Sequence, residues 1–193
     1  MKLIGLTGGI GCGKTTVLKA FSELGIPCFV ADERAGKYYN DPFFLVKIRE
    51  LFGDTVFNDD GTVEKAKIAA IVFNDTEALK SLNALIHPMV LEDFKTWCLQ
   101  QQTPYVIFES AILYEYGFDR LMDAIVTVYL DKEERLRRLE LRDHTTREKL
   151  EARMRNQLSA EEKMDRADYV ILNYEGNPRH RQVNHIHQLI MAS

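Results

Sequence analysis

A glycine-rich stretch near the amino terminus constrains the fold of this chain more than any other feature. Residues 5–16 read GLTGGIGCGKTT, between a short apolar run and a helix-like pattern. Ordering glycine costs more conformational entropy than ordering any other residue, so this cluster indicates that bare backbone is needed there. Gly8, Gly13, Lys14 and Thr15 fit the P-loop spacing, in which backbone N–H groups and a helix amino terminus hold phosphate. The stretch therefore predicts a nucleoside triphosphate site rather than a plain strand-to-helix turn.

The P-loop spacing also assigns roles to single residues. Lys14 is expected to reach the β- and γ-phosphates of ATP, and the Thr15 hydroxyl is expected to ligate Mg²⁺. Cys12 is interpreted as a small spacer, and the alternative is a thiol activated by the helix amino terminus. The predicted ATP-binding residues are Gly9, Ile10, Gly11, Cys12, Gly13, Lys14, Thr15 and Thr16.

Composition and cysteine usage limit the class of protein. The chain has 193 residues, of which 46% are hydrophobic, and a formal net charge of −4. These values suit one domain with a sizeable core and disfavour a dedicated nucleic-acid binder. The three cysteines are odd in number and lack C-x-x-C spacing, which is typical of a reduced compartment. No run approaches the roughly 20 apolar residues of a membrane span. We therefore expect a cytoplasmic protein with no membrane or nucleic-acid partner, and its oligomeric state stays open.

Apolar runs alternate with helix-like segments along the chain. Strands that are apolar nearly throughout indicate a parallel sheet covered by helices on both faces. The predicted fold is therefore α/β, with a parallel five-stranded sheet flanked by helices, as in P-loop NTPases. The five predicted strands are residues 2–8, 27–32, 103–110, 123–130 and 169–173.

Two helical segments interrupt this alternation. Residues 33–101 carry helical patterns, including a long one that Pro88 is expected to kink or split. They are predicted to form a helical insertion over one edge of the sheet. Residues 131–166 are strongly charged and are predicted to form a helical lid. The nucleotide-binding core then comprises residues 1–32, 102–130 and 167–193.

Missing motifs and two acidic residues favour a small-molecule kinase. A GTP switch would be expected to carry N-K-x-D and D-x-x-G motifs, and neither occurs in the chain. A kinase needs an acceptor base and protection from water. Asp32 ends the second predicted strand at the sheet edge expected to carry the P-loop, so it is a candidate base, with a helix N-cap as the alternative. Glu109 ends the third strand and is a candidate Mg²⁺ ligand through water.

Arginines of the predicted lid are candidates for contacts to the transferred phosphoryl group. Arg135, Arg138 and Arg142 follow i, i+3, i+7 spacing and share one helical face. A mobile lid bearing arginines would neutralise phosphoryl charge and exclude water. For most charges of this segment the alternative is a solvated, salt-bridged helix pair. Arg138 and Arg142 are predicted to act as catalytic residues together with Lys14 and Asp32.

The ordered series of motifs resembles the dephospho-coenzyme A kinase family along essentially the whole chain. Three positions depart from the frequent family pattern. Val30 stands where an acid is common, Ala111 where proline is common, and Arg135 where glutamine is common at the start of the lid. The resemblance rests on residues 5–16, 30–32, 85–88, 108–115, 138–143, 153–157 and 167–173.

This resemblance implies an activity and further residue roles. Family members phosphorylate the ribose 3′-hydroxyl of dephospho-CoA with ATP, in the last step of coenzyme A synthesis. The resemblance implies that residues 33–101 bind the CoA substrate, that Asp32 is the catalytic base, and that His87 lies near the acceptor. A structural role for His87 beside Pro88 stays open. The alternatives are another P-loop kinase, acting on a nucleoside monophosphate or a sugar, and an ATP-gated binding module.

Overall fold

Five parallel strands form the sheet of the computed structural model, which describes residues 1–193. Every neighbouring pair of strands is parallel, in the spatial order β2-β3-β1-β4-β5. The predicted five-stranded parallel sheet is therefore confirmed. The strands are β1 (Lys2–Thr7), β2 (Cys28–Val30), β3 (Tyr105–Glu109), β4 (Ala124–Tyr129) and β5 (Tyr169–Leu172).

The helices are distributed over two compact units. Residues 1–30 and 101–193 form the unit that contains the sheet, and residues 31–100 form a helical unit. The helices are α1 (Lys14–Glu23), α2 (Ala31–Lys37), α3 (Pro42–Phe52), α4 (Lys65–Asn74), α5 (Thr76–Cys98), α6 (Lys132–Asp143), α7 (Arg147–Met154), α8 (Ala160–Arg166) and α9 (Arg179–Ala192).

The central strands are buried because both faces of the sheet are apolar. All five residues of β3 are buried, as are Ile4 and Leu6 of β1. Helices α1 and α9 pack against each other beside this core, and α1 buries Val17, Ala20 and Phe21 at helical spacing. The strands and the buried face of α1 fix the positions at which β1 ends and α1 begins.

Local signals in the sequence account for the ends of the lid helices. Asp131 precedes α6, and its carboxylate accepts from the backbone N–H of Glu134. Ser159 and Glu162 form a capping box at the start of α8, in which each side chain accepts from the other residue's backbone N–H. Helix α6 buries Leu136 and Leu139, which pack with Leu150 of α7. These leucines form a small apolar cluster, against which Met154 of α7 and Ile10 of the glycine loop also pack.

The helical unit is organised around a separate apolar cluster. Asp41 caps α3 by accepting from the N–H of Phe44, and Pro42 occupies the first turn, where it needs no backbone donor. Phe44 and Ile48 then face Val56, Ile68 and Leu82 in the core of this unit.

The long helix of this unit contradicts one of the two alternatives expected for Pro88, the split. Pro88 does not split the pattern, since α5 is assigned as one helix from Thr76 to Cys98. Leu82 lies before the proline, and Val90 and Phe94 lie after it, and all three side chains are buried. Packing on both sides of Pro88 offsets the backbone hydrogen bond that proline cannot donate. None of the helices combines the length and hydrophobicity that a membrane span requires.

Candidate active site

The P-loop connects β1 to α1 with the backbone geometry of an anion nest. Gly8, Gly11 and Gly13 have positive φ angles of 146°, 82° and 95°. The N–H of Cys12 donates to the carbonyl of Gly9 at 3.1 Å, which closes a turn within the loop. Alternation of left- and right-handed residues turns successive N–H groups towards one side, and α1 adds the positive end of its dipole. The loop can therefore hold phosphate groups.

Lys14 extends back over the start of this loop. Its Nζ donates to the carbonyl of Gly8 at 3.0 Å and lies 3.7 Å from Oε1 of Glu109. Both side chains are largely buried, with 13% and 8% of their surfaces exposed. The ammonium group thus lies at the Gly8 end of the loop, away from the first turn of α1. A triphosphate lying along the loop would meet it at the β- and γ-phosphates.

Asn173, which follows β5, holds the other end of the loop. Its side-chain amide donates to the carbonyl of Cys12 at 2.6 Å, and its Oδ1 accepts from Arg179 at 2.8 Å. A Cβ at Gly13 would lie 2.1 Å from Nδ2 of Asn173, so this position requires glycine for its contact as well as for its φ angle. Sequence reasoning missed this role. The available signal was a polar residue that directly follows an apolar strand.

Cys12 points into the protein rather than towards a ligand. Its side chain is 1% exposed, and burial raises the pKa of the thiol above its ordinary value. The nearby Lys14 and Arg135 act in the opposite direction but do not outweigh burial. Because the nucleophilic form of cysteine is the thiolate, this geometry favours the interpretation of Cys12 as a small spacer.

Two lid residues contact the P-loop directly. The side-chain oxygen of Gln157 accepts from the backbone N–H of Ile10 at 3.0 Å. The Arg135 guanidinium lies against Gly9, because a Cβ on that glycine would be 2.0 Å from its Nη1. Sequence reasoning assigned no loop contact to Gln157, which lies between α7 and α8. The segment predicted to form the lid therefore contacts the loop at Ile10 and Gly9.

The two lid arginines chosen from the sequence have carboxylate partners. Arg138 is bound to Glu134 at 2.8 Å and also donates to the carbonyl of Asn173 at 3.3 Å. Arg142 is bound to Asp143 at 2.6 Å and keeps 65% of its side chain exposed. The shared helical face of the prediction includes Arg135, and of these three arginines it is the one in contact with the loop. Catalytic roles for Arg138 and Arg142 stay predictions.

A buried ion pair joins the loop after β3 to the last lid helix. Lys163 has no exposed side-chain surface, and its Nζ lies 2.7 Å from Oε1 of Glu115. It also donates to the carbonyl of Ala111, while the same carboxylate oxygen accepts from the N–H of Leu158 at 2.8 Å. Burial lowers the pKa of Lys163, and the Glu115 carboxylate opposes that shift. This pair was missed by sequence reasoning, although Glu115 lies in a motif that it used.

The candidate acceptor residues belong to the helical unit. Asp32 is exposed and lies in the first turn of α2, two residues after β2 ends. Because the helix begins at Ala31, Asp32 lies within the first turn rather than at an N-cap before residue 33. His87 lies in α5 beside Pro88, and burial lowers its pKa to about 4. Its imidazole is therefore uncharged at neutral pH and can accept or donate a hydrogen bond without carrying charge.

The chain offers few protein ligands for a divalent cation. No group of three or more His, Cys, Asp or Glu side chains is arranged to hold a metal ion. Thr15 is exposed in the first turn of α1, and the Glu109 carboxylate lies beside Lys14. This sparse oxygen set fits Mg²⁺, which keeps several waters and is commonly bound through substrate phosphates.

The sequence of this chain matches a known protein family and its members. Residues 2–178 match the family model described as Dephospho-CoA kinase. A Dephospho-CoA kinase from Leptospira interrogans is 41% identical over 175 residues, which cover 89% of this chain and 84% of that protein. The match therefore includes the P-loop, the helical unit, the lid and β5.

Solved structures extend the similarity to the three-dimensional fold. The crystal structure of TT1252 from Thermus thermophilus is 30% identical, with a TM-score of 0.85 and coverage of 99% of this chain and 96% of that chain. A structure titled Dephospho-CoA kinase, from Campylobacter jejuni, is 25% identical, with a TM-score of 0.62 and coverage of 98% and 97%.

The buried Lys163–Glu115 pair generates a stability prediction. Replacing Lys163→Met leaves the Glu115 carboxylate buried without its counter-charge, and we expect the free energy of unfolding to fall by about 3–5 kcal/mol. The double variant Lys163→Met/Glu115→Gln removes both charges and should recover most of this loss. Urea unfolding followed by circular dichroism measures both.

An exposed pair of the same type provides the control. Lys80 and Glu77 are 65% and 80% exposed, so Lys80→Met should leave the urea midpoint nearly unchanged. A Lys163→Met protein as stable as Lys80→Met would contradict the importance of the buried pair.

Proposed function

The chain belongs to the dephospho-CoA kinase family, and we propose that it transfers the γ-phosphoryl group of ATP to the ribose 3′-hydroxyl of dephospho-CoA. The products are CoA and ADP, as in the last step of coenzyme A biosynthesis. The observation that carries this proposal is the glycine loop with Lys14 folded back over it, in a chain whose family match extends from residue 2 to residue 178.

ATP binding is assigned to the loop and the first turn of α1. Residues 9–16 would bind ATP, with Lys14 on the β- and γ-phosphates. The N–H groups of Ile10 and Cys12 donate to Gln157 and Gly9, so phosphate oxygens would accept from other N–H groups of the loop. When bound, Mg²⁺ would supply charge neutralisation to the phosphates, held by the Thr15 hydroxyl and, through water, by Glu109. Support for this placement is positional: the Glu109 carboxylate lies 3.7 Å from Lys14 Nζ, at the loop.

The transfer step exchanges one P–O bond for another. The bond between the γ-phosphorus and the β–γ bridging oxygen breaks, and a bond forms from the γ-phosphorus to the 3′-oxygen of the ribose. The hydroxyl proton passes to the Asp32 carboxylate. Asp32 follows β2, whose carboxyl end lies at the same edge of the parallel sheet as that of β1, and β1 leads into the P-loop. This topology supports Asp32 as the base.

The helical unit and the lid are assigned to the remaining parts of the reaction. Residues 33–101 would bind dephospho-CoA, and His87 would serve as a neutral hydrogen-bonding group near the acceptor. Residues 131–166 would exclude water during transfer, with Arg138 or Arg142 released from its carboxylate to bind phosphoryl oxygens. Gln157 supports the role of the lid, since it already contacts the loop through Ile10.

ADP release with different acceptors tests this function. The protein is incubated with ATP and Mg²⁺ together with dephospho-CoA, AMP or gluconate, and ADP is measured with a coupled enzyme assay. We expect release with dephospho-CoA alone, because the family match covers the helical unit as well as the P-loop. Release with AMP or gluconate instead would indicate another kinase, and release with none would favour a binding module.

The role of Asp32 generates a second prediction with a neighbouring control. We expect Asp32→Asn to lower kcat by roughly 100-fold or more, since a positioned base contributes a factor of this size. ATP binding should be retained, because the P-loop is unchanged. Glu33 is also exposed in the first turn of α2, and Glu33→Gln should retain nearly full activity. Equal turnover in the two variants would remove Asp32 from the role of base.

A further inference from the structure

Arg135 is an arginine buried against the phosphate loop. It is 6% exposed and is the fourth residue of α6, at the end of the first turn. A Cβ on Gly9 would lie 2.0 Å from Nη1 and 3.0 Å from Cζ of this arginine, so the guanidinium occupies the space that a side chain at residue 9 would fill. The next turn of α6 makes a similar contact, because a Cβ on Gly11 would lie 2.8 Å from Leu139. Helix α6 therefore brings a cation to the loop backbone.

Arg135 has no carboxylate partner, unlike most other arginines of residues 131–166. Its Nε is buried and has no hydrogen-bond partner. Arg155 also lacks an ion pair, but it is exposed, whereas Arg135 is buried. Five other arginines of this segment are bound to acids: Arg137, Arg138, Arg142, Arg147 and Arg153. A buried cation without a counter-charge is costly for the fold. A ligand that supplies the negative charge would offset this cost.

The position of Arg135 along the loop indicates which phosphate of ATP it would contact. Lys14 places its ammonium at Gly8, and Arg135 lies against the next residue, Gly9. Both cations act electrostatically on the Cys12 thiol, which is consistent with their lying near the same part of the loop. The α-phosphate end of a bound nucleotide belongs at the first turn of α1. The two cations therefore lie at the opposite end, where the γ-phosphate would lie.

We propose that Arg135 is a catalytic residue that binds the γ-phosphate of ATP and stabilises the charge that develops on it during transfer. This inference rests on the proposed kinase function. The guanidinium offers several N–H donors in a planar fork suited to phosphate oxygens. Together with Lys14 it compensates the charge of the phosphoryl group as the bond to the bridging oxygen breaks. Unlike Arg138 and Arg142, Arg135 needs no release from a carboxylate before it can bind phosphate.

Replacement of the guanidinium by an apolar side chain tests this role. We expect Arg135→Met to lower kcat by at least about 100-fold, the size of effect seen when one preorganised charge-stabilising donor is removed. The KM for dephospho-CoA should change by less than about 3-fold, because the contact is to ATP. Arg135→Lys retains a positive charge and should recover part of the activity. Arg137→Met is the control on the same helix, since Arg137 is 61% exposed, and it should retain wild-type kcat.

Thermal stability separates this catalytic role from a structural one. Removing a buried cation that lacks a counter-charge should leave the melting temperature of Arg135→Met equal to or above that of the wild type. A structural role predicts that the melting temperature and kcat fall together. A stable Arg135→Met protein with unchanged kcat would overturn the proposal, and so would a destabilised one whose Arg135→Lys counterpart recovers stability but no activity.

Nucleotide binding gives a readout that does not depend on the acceptor. Titration with ADP and with the β,γ-imido analogue of ATP, both with Mg²⁺, compares ligands that differ in the γ-phosphate. Arg135→Met should weaken binding of the analogue at least about 10-fold and that of ADP by less than about 3-fold, as expected for a lost charged contact to one phosphate. Equal losses for both nucleotides would contradict a γ-phosphate contact. If wild-type protein phosphorylates none of the acceptors, the kinase proposal fails while this titration still decides the role of Arg135.

Gly9 provides a double-mutant test of the contact. Gly9 is not in the left-handed region, so Gly9→Ala is tolerated by the backbone but displaces the guanidinium. Gly9→Ala should weaken binding of the imido analogue in the wild type and have little further effect in an Arg135→Ala background. Additive losses in the double variant would show that the two residues act independently and would overturn the assigned contact.

Discussion

The shape of the glycine loop depends on contacts that distant parts of the chain make with its backbone. Asn173 donates to the carbonyl of Cys12, Gln157 accepts from the N–H of Ile10, and Arg135 lies on Gly9. These contacts come from the segment after β5 and from the lid, so the loop is ordered by long-range packing rather than by its own sequence alone. Glycine is needed where these neighbours approach, as the 2.1 Å separation between Asn173 and a Cβ at Gly13 demonstrates.

Three buried cations, Lys14, Lys163 and Arg135, differ in whether they have a carboxylate partner. Lys14 is buried beside Glu109, and Lys163 is buried beside Glu115, so each of these cations has a carboxylate partner. Arg135 is equally buried and lacks one. Stability alone would favour an apolar residue at that position. Phosphate binding would require a cation there. Stability and function would therefore favour different residues at position 135.

Much of the fold could be predicted because its signals are local. The P-loop spacing, five apolar runs and the charged segment predict a parallel sheet with flanking helices, and this architecture is confirmed. The possible split at Pro88 was wrong, because α5 is one helix held together by packing on both sides of the proline. The loop contacts of Asn173 and Gln157 were also missed, since they join residues more than 140 positions apart. Spacing placed Arg135 on the right helical face but could not reveal that it is buried without a carboxylate.

The central claim is that this loop delivers a phosphoryl group to the ribose of dephospho-CoA rather than to water. Phosphorus NMR of a reaction containing ATP, Mg²⁺ and dephospho-CoA tests it most directly, because a 3′-phosphomonoester and inorganic phosphate give separate resonances. The account predicts one new phosphomonoester on the ribose 3′-oxygen for each ADP formed. Inorganic phosphate in place of that monoester, or a phosphoryl group on another oxygen, would contradict it.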